Sequence, residues 1–263
     1  MLAQLPILNL VTWGLATLLT LILLGRIVSL GQYRDYPLFT AYLVCNLLQT
    51  IVGVYVYQRY GFFSTIGFRT GWTTQSFVVV ARALAAAELC HHVLGRFRGV
   101  WAMSSRVLVV CGALVLAAAV YFGRGGFRFA VMTLEIGLES FIGTWVVGLF
   151  CFARYYQVQI PGTIRMLGLG LGLHSVVTIL NDVVFERLVK SYLDEWNYVA
   201  TSGFLAVLAI WIWGLWRPAE VGVSEPVMSA PNAYRELMPQ VNRKLLELNE
   251  QLGQLWHTEP RRP

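Results

Sequence analysis

Apolar residues run in seven long blocks, about Pro6–Ser29, Pro37–Tyr57, Trp72–Leu94, Ser105–Phe122, Phe127–Ala153, Met166–Phe185 and Tyr198–Trp216, with short polar stretches between them. Each approaches or exceeds the roughly 20 residues that a helix needs to cross a hydrocarbon core. Inside the blocks apolar and polar residues do not alternate with a period of two, so the pattern predicts helices and not barrel strands. A helix also satisfies its own backbone hydrogen bonds, which lipid cannot do for it. No Lys or Arg precedes the first block, and its apolar core is longer than the h-region of a signal peptide, so it is expected to stay as helix 1.

The pattern changes after Trp216. Residues 1–217 read as a seven-helix transmembrane domain, and residues 218–263 as a cytoplasmic linker and amphipathic tail. Val241, Leu245, Leu248, Leu252 and Leu255 follow alternating spacings of four and three, the a/d seam of a coiled coil. Pro239 predicts the start of this helix, because a proline ring fits the first turn and not the interior. The seam would serve a homodimer; docking of the same face on the membrane or on the protein's own inner loops is the rival reading.

Composition agrees with the pattern. Of 263 residues, 57% are hydrophobic and 13% charged, with mean hydropathy +0.60, which describes a polytopic membrane protein. The fold class expected is therefore all-α: a seven-transmembrane-helix bundle, N-terminus outside and C-terminus cytoplasmic, with a short amphipathic C-terminal helix. The orientation rests on the positive-inside bias. With the N-terminus outside, Arg26, Arg34, Arg96, Arg98, Arg106, Arg154, Arg165 and six tail residues lie inside, against Arg59, Arg69, Arg124, Arg128, Arg187 and Lys190 outside. The net charge of +6 is dispersed among loops, which suits an anionic inner leaflet and gives no reason to invoke nucleic acid.

Against this background the ionisable residues inside the blocks, and Asn181 beside Asp182, stand out. A charge at the centre of a membrane helix costs about 2.5–3.5 kcal/mol even on insertion scales, so it persists only where partners or water compensate it. Block 3 carries Arg82, Glu88, His91 and His92, block 5 Glu135 and Glu139, and block 6 His174, Asn181 and Asp182. At helical spacing Glu88 shares a face with His91 or His92, Glu135 with Glu139, and His174 with Thr178, Asn181 and Asp182. Depth along the helices arranges them as a ladder: an outer tier of Glu135, Asn181 and Asp182, a central tier of Arg82, Glu139 and His174, and an inner tier of Glu88, His91 and His92. Arg82 matches Glu139 in depth and is expected to neutralise it.

Specific chemistries can be weighed against these residues. Lys190 and Lys244 are the only lysines and neither lies in a span, which excludes a retinal Schiff base. A single Glu-x-x-His pair, Glu88 with His91, falls short of a ferritin-like di-iron site. HExxH, GxSxG and Walker motifs are absent. A zinc site from His91 or His92, His174 and Glu139 meets a spread in depth too great for one ion, and haem ligation has only the histidines themselves in its favour. No cofactor is predicted. Cys45, Cys90, Cys111 and Cys151 lie inside spans without CxxC spacing and read as buried small hydrophobes. Gly168 and Gly172 have the small-xxx-small spacing of close helix packing. Trp196, Tyr198, Trp211, Trp213 and Trp216 bracket helix 7 as interfacial belt residues do; for Trp211 and Trp213, inside that belt, lining a ligand pocket is the alternative.

Function is expected to be non-enzymatic: a sensor, receptor-like or accessory module with a buried site for a cation, proton or small polar ligand. The candidate ligand-binding residues are Arg82, Glu88, His92, Glu135, Glu139, His174, Asn181 and Asp182. A proton- or cation-coupled transporter using the same ladder is the alternative, although no internal repeat is visible and seven helices do not divide into two equal halves. An intramembrane zinc or haem enzyme is the third reading.

Overall fold

A computed structural model describes residues 7–61, 64–95, 97–156, 158–188, 193–216 and 232–257, with side chains at all of these except 7–10, 182–188, 193–198, 200, 232–238 and 255–257. Eight α-helices follow in order: α1 Ile7–Ser29, α2 Pro37–Tyr60, α3 Thr65–Leu94, α4 Arg98–Phe122, α5 Phe127–Tyr155, α6 Gly162–Leu188, α7 Leu193–Trp216 and α8 Asn232–His257. No strand occurs among the described residues. Helices α1 to α6 each hold a stretch long and apolar enough to cross a membrane, and α7 is apolar over a shorter part, Thr201–Trp216. The chain is an all-helical bundle with six to seven helices of membrane character.

Local chemistry sets the helix ends. Pro37 occupies the first turn of α2, and α2 stops at Gly61, whose φ of +83° is open to glycine. Ser64 caps α3 by accepting the Gly67 N–H at 2.9 Å, so this helix starts ahead of its apolar block. The tail helix differs from expectation: α8 begins at Asn232 and runs through Pro239. The proline lies on an exposed face, where water can serve the carbonyl it leaves unbonded.

Helix α3 sits at the centre, packing against α2, α4, α5 and α6, while α1 closes the ring against α2 and α7. Its run of alanines permits this, because small side chains let helix backbones approach where lipid offers no hydrophobic drive; Ala85 and Ala86 are buried. The α6 glycines do the same on two sides. Gly168 lies against Phe150 and Gly172 against Val146 of α5, and Gly170 lies against Trp211 of α7.

The larger apolar core fills the half of the bundle nearer the α1–α2 turn, with Leu23, Phe39, Tyr42, Leu89, Leu167 and Trp211 at its heart. Trp211 is fully buried, not a belt residue. It donates to the Leu167 carbonyl at 3.1 Å and meets the rings of Phe39 and Tyr42 edge-on at 5.2 and 5.9 Å. Trp213, two positions on, is 62% exposed on the apolar outer surface. Of the four free cysteines only Cys90 is buried, and Cys151 is exposed; their positions on the helix perimeter, not their chemistry, decide this.

Helix α8 packs against α4. The residue preceding α4, Phe97, has no side chain able to cap it; Asn249 of α8 supplies the missing acceptor, its Oδ1 taking the Gly99 N–H. Leu252 lies beside the same glycine. The seam is thus split: Leu252 and Leu245 are half-buried, whereas Val241 and Leu248 are exposed. Leu255 lies outside the described side chains.

Candidate functional site

Three helices bury Arg82, Glu88, Glu135, Glu139 and His174 at different depths. On α3, Gln75 and Arg82 are seven positions apart, about 10.5 Å of rise; on α5, Glu135 and Glu139 are four apart, about 6 Å. The pairs nevertheless meet, Gln75 with Glu135 and Arg82 with Glu139. The reach of the long Gln and Arg side chains absorbs the difference.

The deeper pair is sealed. Arg82 is 3% exposed and Glu139 fully buried. The two form an ion pair through Oε1, and the Ser175 hydroxyl donates to Oε2 at 2.7 Å. The ring of Tyr42 lies 5.4 Å from the Arg82 guanidinium carbon, between Arg82 and Trp211. Each carboxylate oxygen therefore has a partner, and the arginine has both a counter-charge and an aromatic face, while its Nε has no hydrogen-bond partner among the described residues. His174 precedes Ser175 and meets Phe204 edge-on at 5.4 Å. Neither of its ring nitrogens has a hydrogen-bond partner among the described residues.

One helical turn from that pair, Glu135 borders a cavity of about 630 Å³. Its walls come from the N-terminal half of α1, the C-terminal half of α2, the N-terminal half of α3, the start of α5, the end of α6 and the described part of α7. The cavity thus occupies the half of the bundle opposite the large apolar core. Its polar lining is neutral apart from Glu135: the amides Asn46, Gln49, Gln75 and Asn181, and hydroxyls including Thr17, Thr50 and Thr74. Trp13, Phe68, Trp72 and Phe204 add aromatic walls. Gln49 donates to Gln75 at 2.7 Å, and Gln75 donates to Glu135.

The inner tier is dispersed. Glu88 accepts the Leu38 N–H at 3.0 Å and the Phe39 N–H at 2.8 Å, capping α2 from another helix. His92 bonds through Nε2 to the Asp35 carbonyl at 2.8 Å, and His91 packs on Trp101 with ring centroids 4.6 Å apart. Both histidines are exposed. Burial, then the neighbouring charges of Asp35 and Glu88, raises the Tyr36 phenol above its ordinary range.

The expected site residues therefore fall into separate places. Glu135 and Asn181 share the cavity; Arg82 and Glu139 pair beneath it with His174 nearby; Glu88 and His92 fasten the α1–α2 turn to α3. The side chain of Asp182 lies outside the described residues. No group of three metal-ligating side chains comes together among the described residues, so His174, Glu139 and the inner histidines do not converge. Most of the cavity's polar lining escaped the sequence reading because it is uncharged. The signal was present as stripes: Asn46, Gln49 or Thr50, Gly53 and Tyr57 on α2, and Gly67, Gly71, Thr74 or Gln75 on α3, at intervals of three and four. No family model matches the chain, and neither a curated protein nor a solved structure shows significant similarity to it.

Proposed function

We propose that this chain is a seven-helix integral membrane protein, N-terminus outside and C-terminus cytoplasmic, that binds a small polar ligand in the outer half of its bundle and acts as a sensor or accessory module. The observation that carries this reading is the 630 Å³ cavity lined by amides, hydroxyls and one carboxylate. Ligand sites are concave spaces of about 300–1,000 Å³ with a few convergent polar groups. The space is built of side chains that have no packing reason to be polar, and with the N-terminus outside, as the positive-inside count favours, it lies in the outer half. The buried Arg82–Glu139 ion pair beneath it, with both carboxylate oxygens engaged, favours a closed pocket over a conducting path. Helix α8, joined to α4 through Asn249, offers a route from bundle to cytoplasm.

A cysteine-accessibility experiment tests both position and orientation. With the native cysteines replaced by alanine, Asn46→Cys and Thr74→Cys should react with a membrane-impermeant thiol reagent supplied on the side opposite the tail, and Ser175→Cys should not. Labelling of Asn46→Cys and Thr74→Cys only from the tail side would reverse the orientation. No labelling from either side would remove the water-accessible pocket.

A further inference from the structure

We infer that the cavity takes an uncharged, polyhydroxylated ring, of the chemical class of a sugar or cyclitol, whose hydroxyls donate to oxygens on α1, α2 and α3. This rests on the pocket reading above and specifies its ligand.

The threonine hydroxyls carry the argument. Thr17 and Thr20 of α1, Thr50 of α2 and Thr74 of α3 all line the cavity. Each donates to a carbonyl one turn back in its own helix: Thr17 to Trp13 at 2.8 Å, Thr20 to Ala16 at 2.8 Å, Thr50 to Asn46 at 3.1 Å and Thr74 to Thr70 at 2.9 Å. A hydroxyl has one hydrogen and two lone pairs, so a threonine bonded back in this way keeps only lone pairs for a ligand. Gln49 adds another acceptor: its Nε2 donates to Gln75 at 2.7 Å, which leaves its Oε1. Donors come from amides and indoles, Asn46 and Trp72 among them. A ligand matching this wall brings several O–H groups, each able to donate to a threonine or Gln49 oxygen and to accept from an amide.

The charges agree with a neutral occupant. Glu135 is already engaged, accepting from Gln75 and interacting electrostatically with Arg82, so the neutral oxygens set the ligand's chemistry. An anion would meet a wall of acceptors, because no Lys, Arg or His stands among the described lining residues. Phe68 and Trp72 supply the apolar side: they lie one turn apart on α3, with ring centroids 6.0 Å apart, on the wall that also carries Thr74. A sugar ring is apolar across its C–H faces and polar at its rim, and aromatic side chains cover such a face. The volume of about 630 Å³ lies within the range of small-molecule sites.

Four probes with a common phenyl aglycone test the inference, titrated to millimolar concentration at neutral pH into the full chain in lipid nanodiscs. They are phenyl glucoside; phenyl tetrahydropyranyl ether, which keeps the ring without hydroxyls; phenyl glucuronide, an anion; and the glucoside with an ammonium in place of its primary hydroxyl. Binding is read from tryptophan fluorescence, since Trp13 and Trp72 line the space, and from the unfolding temperature. The glucoside should bind about tenfold or more tightly than the ether and the glucuronide, because a site built to bond hydroxyls rejects an analogue lacking them. The ammonium analogue should bind no tighter than the glucoside. The double variant Thr50→Val/Thr74→Val keeps the side-chain shape and removes two acceptors; it should weaken the glucoside about tenfold and leave the ether unchanged. If that variant does not fold, Gln49→Met should weaken the glucoside selectively.

Equal binding of the ether or the glucuronide, tighter binding of the ammonium analogue, or glucoside binding unchanged in the acceptor variants overturns the sugar assignment. Thr50→Trp, which fills the space, separates the two levels. Probes that bind without preference for hydroxyls and are all lost in Thr50→Trp leave the pocket standing and remove only the sugar. Binding indifferent to Thr50→Trp, or no binding by any probe, also overturns the assignment, and the cysteine labelling above then decides the pocket by itself.

Discussion

Glu88 of α3 caps α2 across the bundle, its two carboxylate oxygens accepting the first-turn N–H groups of Leu38 and Phe39. The residue before α2, Tyr36, makes no side-chain cap, so a residue fifty positions away supplies the acceptors and complements the helix dipole. Glu88→Ala should therefore destabilise the protein by about 1–3 kcal/mol, and Glu88→Gln, which keeps one acceptor, by less. Unfolding by SDS in mixed micelles measures both; equal losses would mean that the capping geometry contributes nothing.

Removing one member of the Arg82–Glu139 pair leaves the other charged and buried. Arg82→Met or Glu139→Met alone should cost about 3–5 kcal/mol, while the double replacement should recover a large part of the loss. A double-mutant cycle of unfolding free energies checks this. Additive losses would show that the pair has no coupling.

Glycines in the α6–α7 contact should tolerate no side chain. A Cβ at Gly170 would fall 2.6 Å from Trp211 Cδ1, and that ring cannot yield freely because Phe39 and Tyr42 hold its other edges. Gly170→Ala is expected to cost about 1–3 kcal/mol through overpacking. Gly148→Ala on α5, where a Cβ meets nothing within 4 Å, is the control and should be near neutral or slightly stabilising in an otherwise regular helix.

Asn249→Ala should loosen α8 from α4. Loss of a cap costs about 1 kcal/mol, and the loss should be local. Hydrogen exchange of α8 and of the α4 N-terminus should quicken while the α3 core stays protected. Exchange unchanged in α8 would mean that Leu252 and its neighbours, not the cap, hold the helix in place.

Alkaline stability should depend on Tyr36. The fold raises its phenol through burial and the adjacent Asp35 and Glu88 charges, so the folded state holds the proton more tightly than the unfolded one. Its contribution is full below the unfolded value, near 10.0, and is lost as pH rises through the raised folded value. The stability difference between the native chain and Tyr36→Phe should be constant through neutral pH and shrink above that point. A difference that grows with pH would reverse the sign.

Long apolar blocks and a scarcity of charge were enough to specify an all-helical membrane bundle, because lipid leaves a chain few ways to satisfy its backbone. Depth along the helices was enough to couple Arg82 to Glu139, since rise per residue is fixed. The cavity was much harder to read. Asn46, Gln49, Gln75 and the threonines cost far less to bury than charges and so stand out weakly in a sequence, and their meaning lies in facing one another across four helices. Glu88 illustrates the same gap: its spacing from His91 and His92 suggested one shared face, but the backbone of another helix claimed the carboxylate.

The sequence alone determined the class of fold and marked the central charges Arg82 and Glu139 for burial, because these follow from hydrophobic length, helical period and the cost of charge in lipid; it did not settle the exposed His91 and His92 or the start of α8. Tertiary structure alone decided which inward groups meet: a sealed ion pair, an open amide-lined space and two helix caps supplied from distant segments. The reason is physical. Burial cost is a property of each residue, whereas satisfaction of that cost is a property of pairs, and pairs are made only when helices pack.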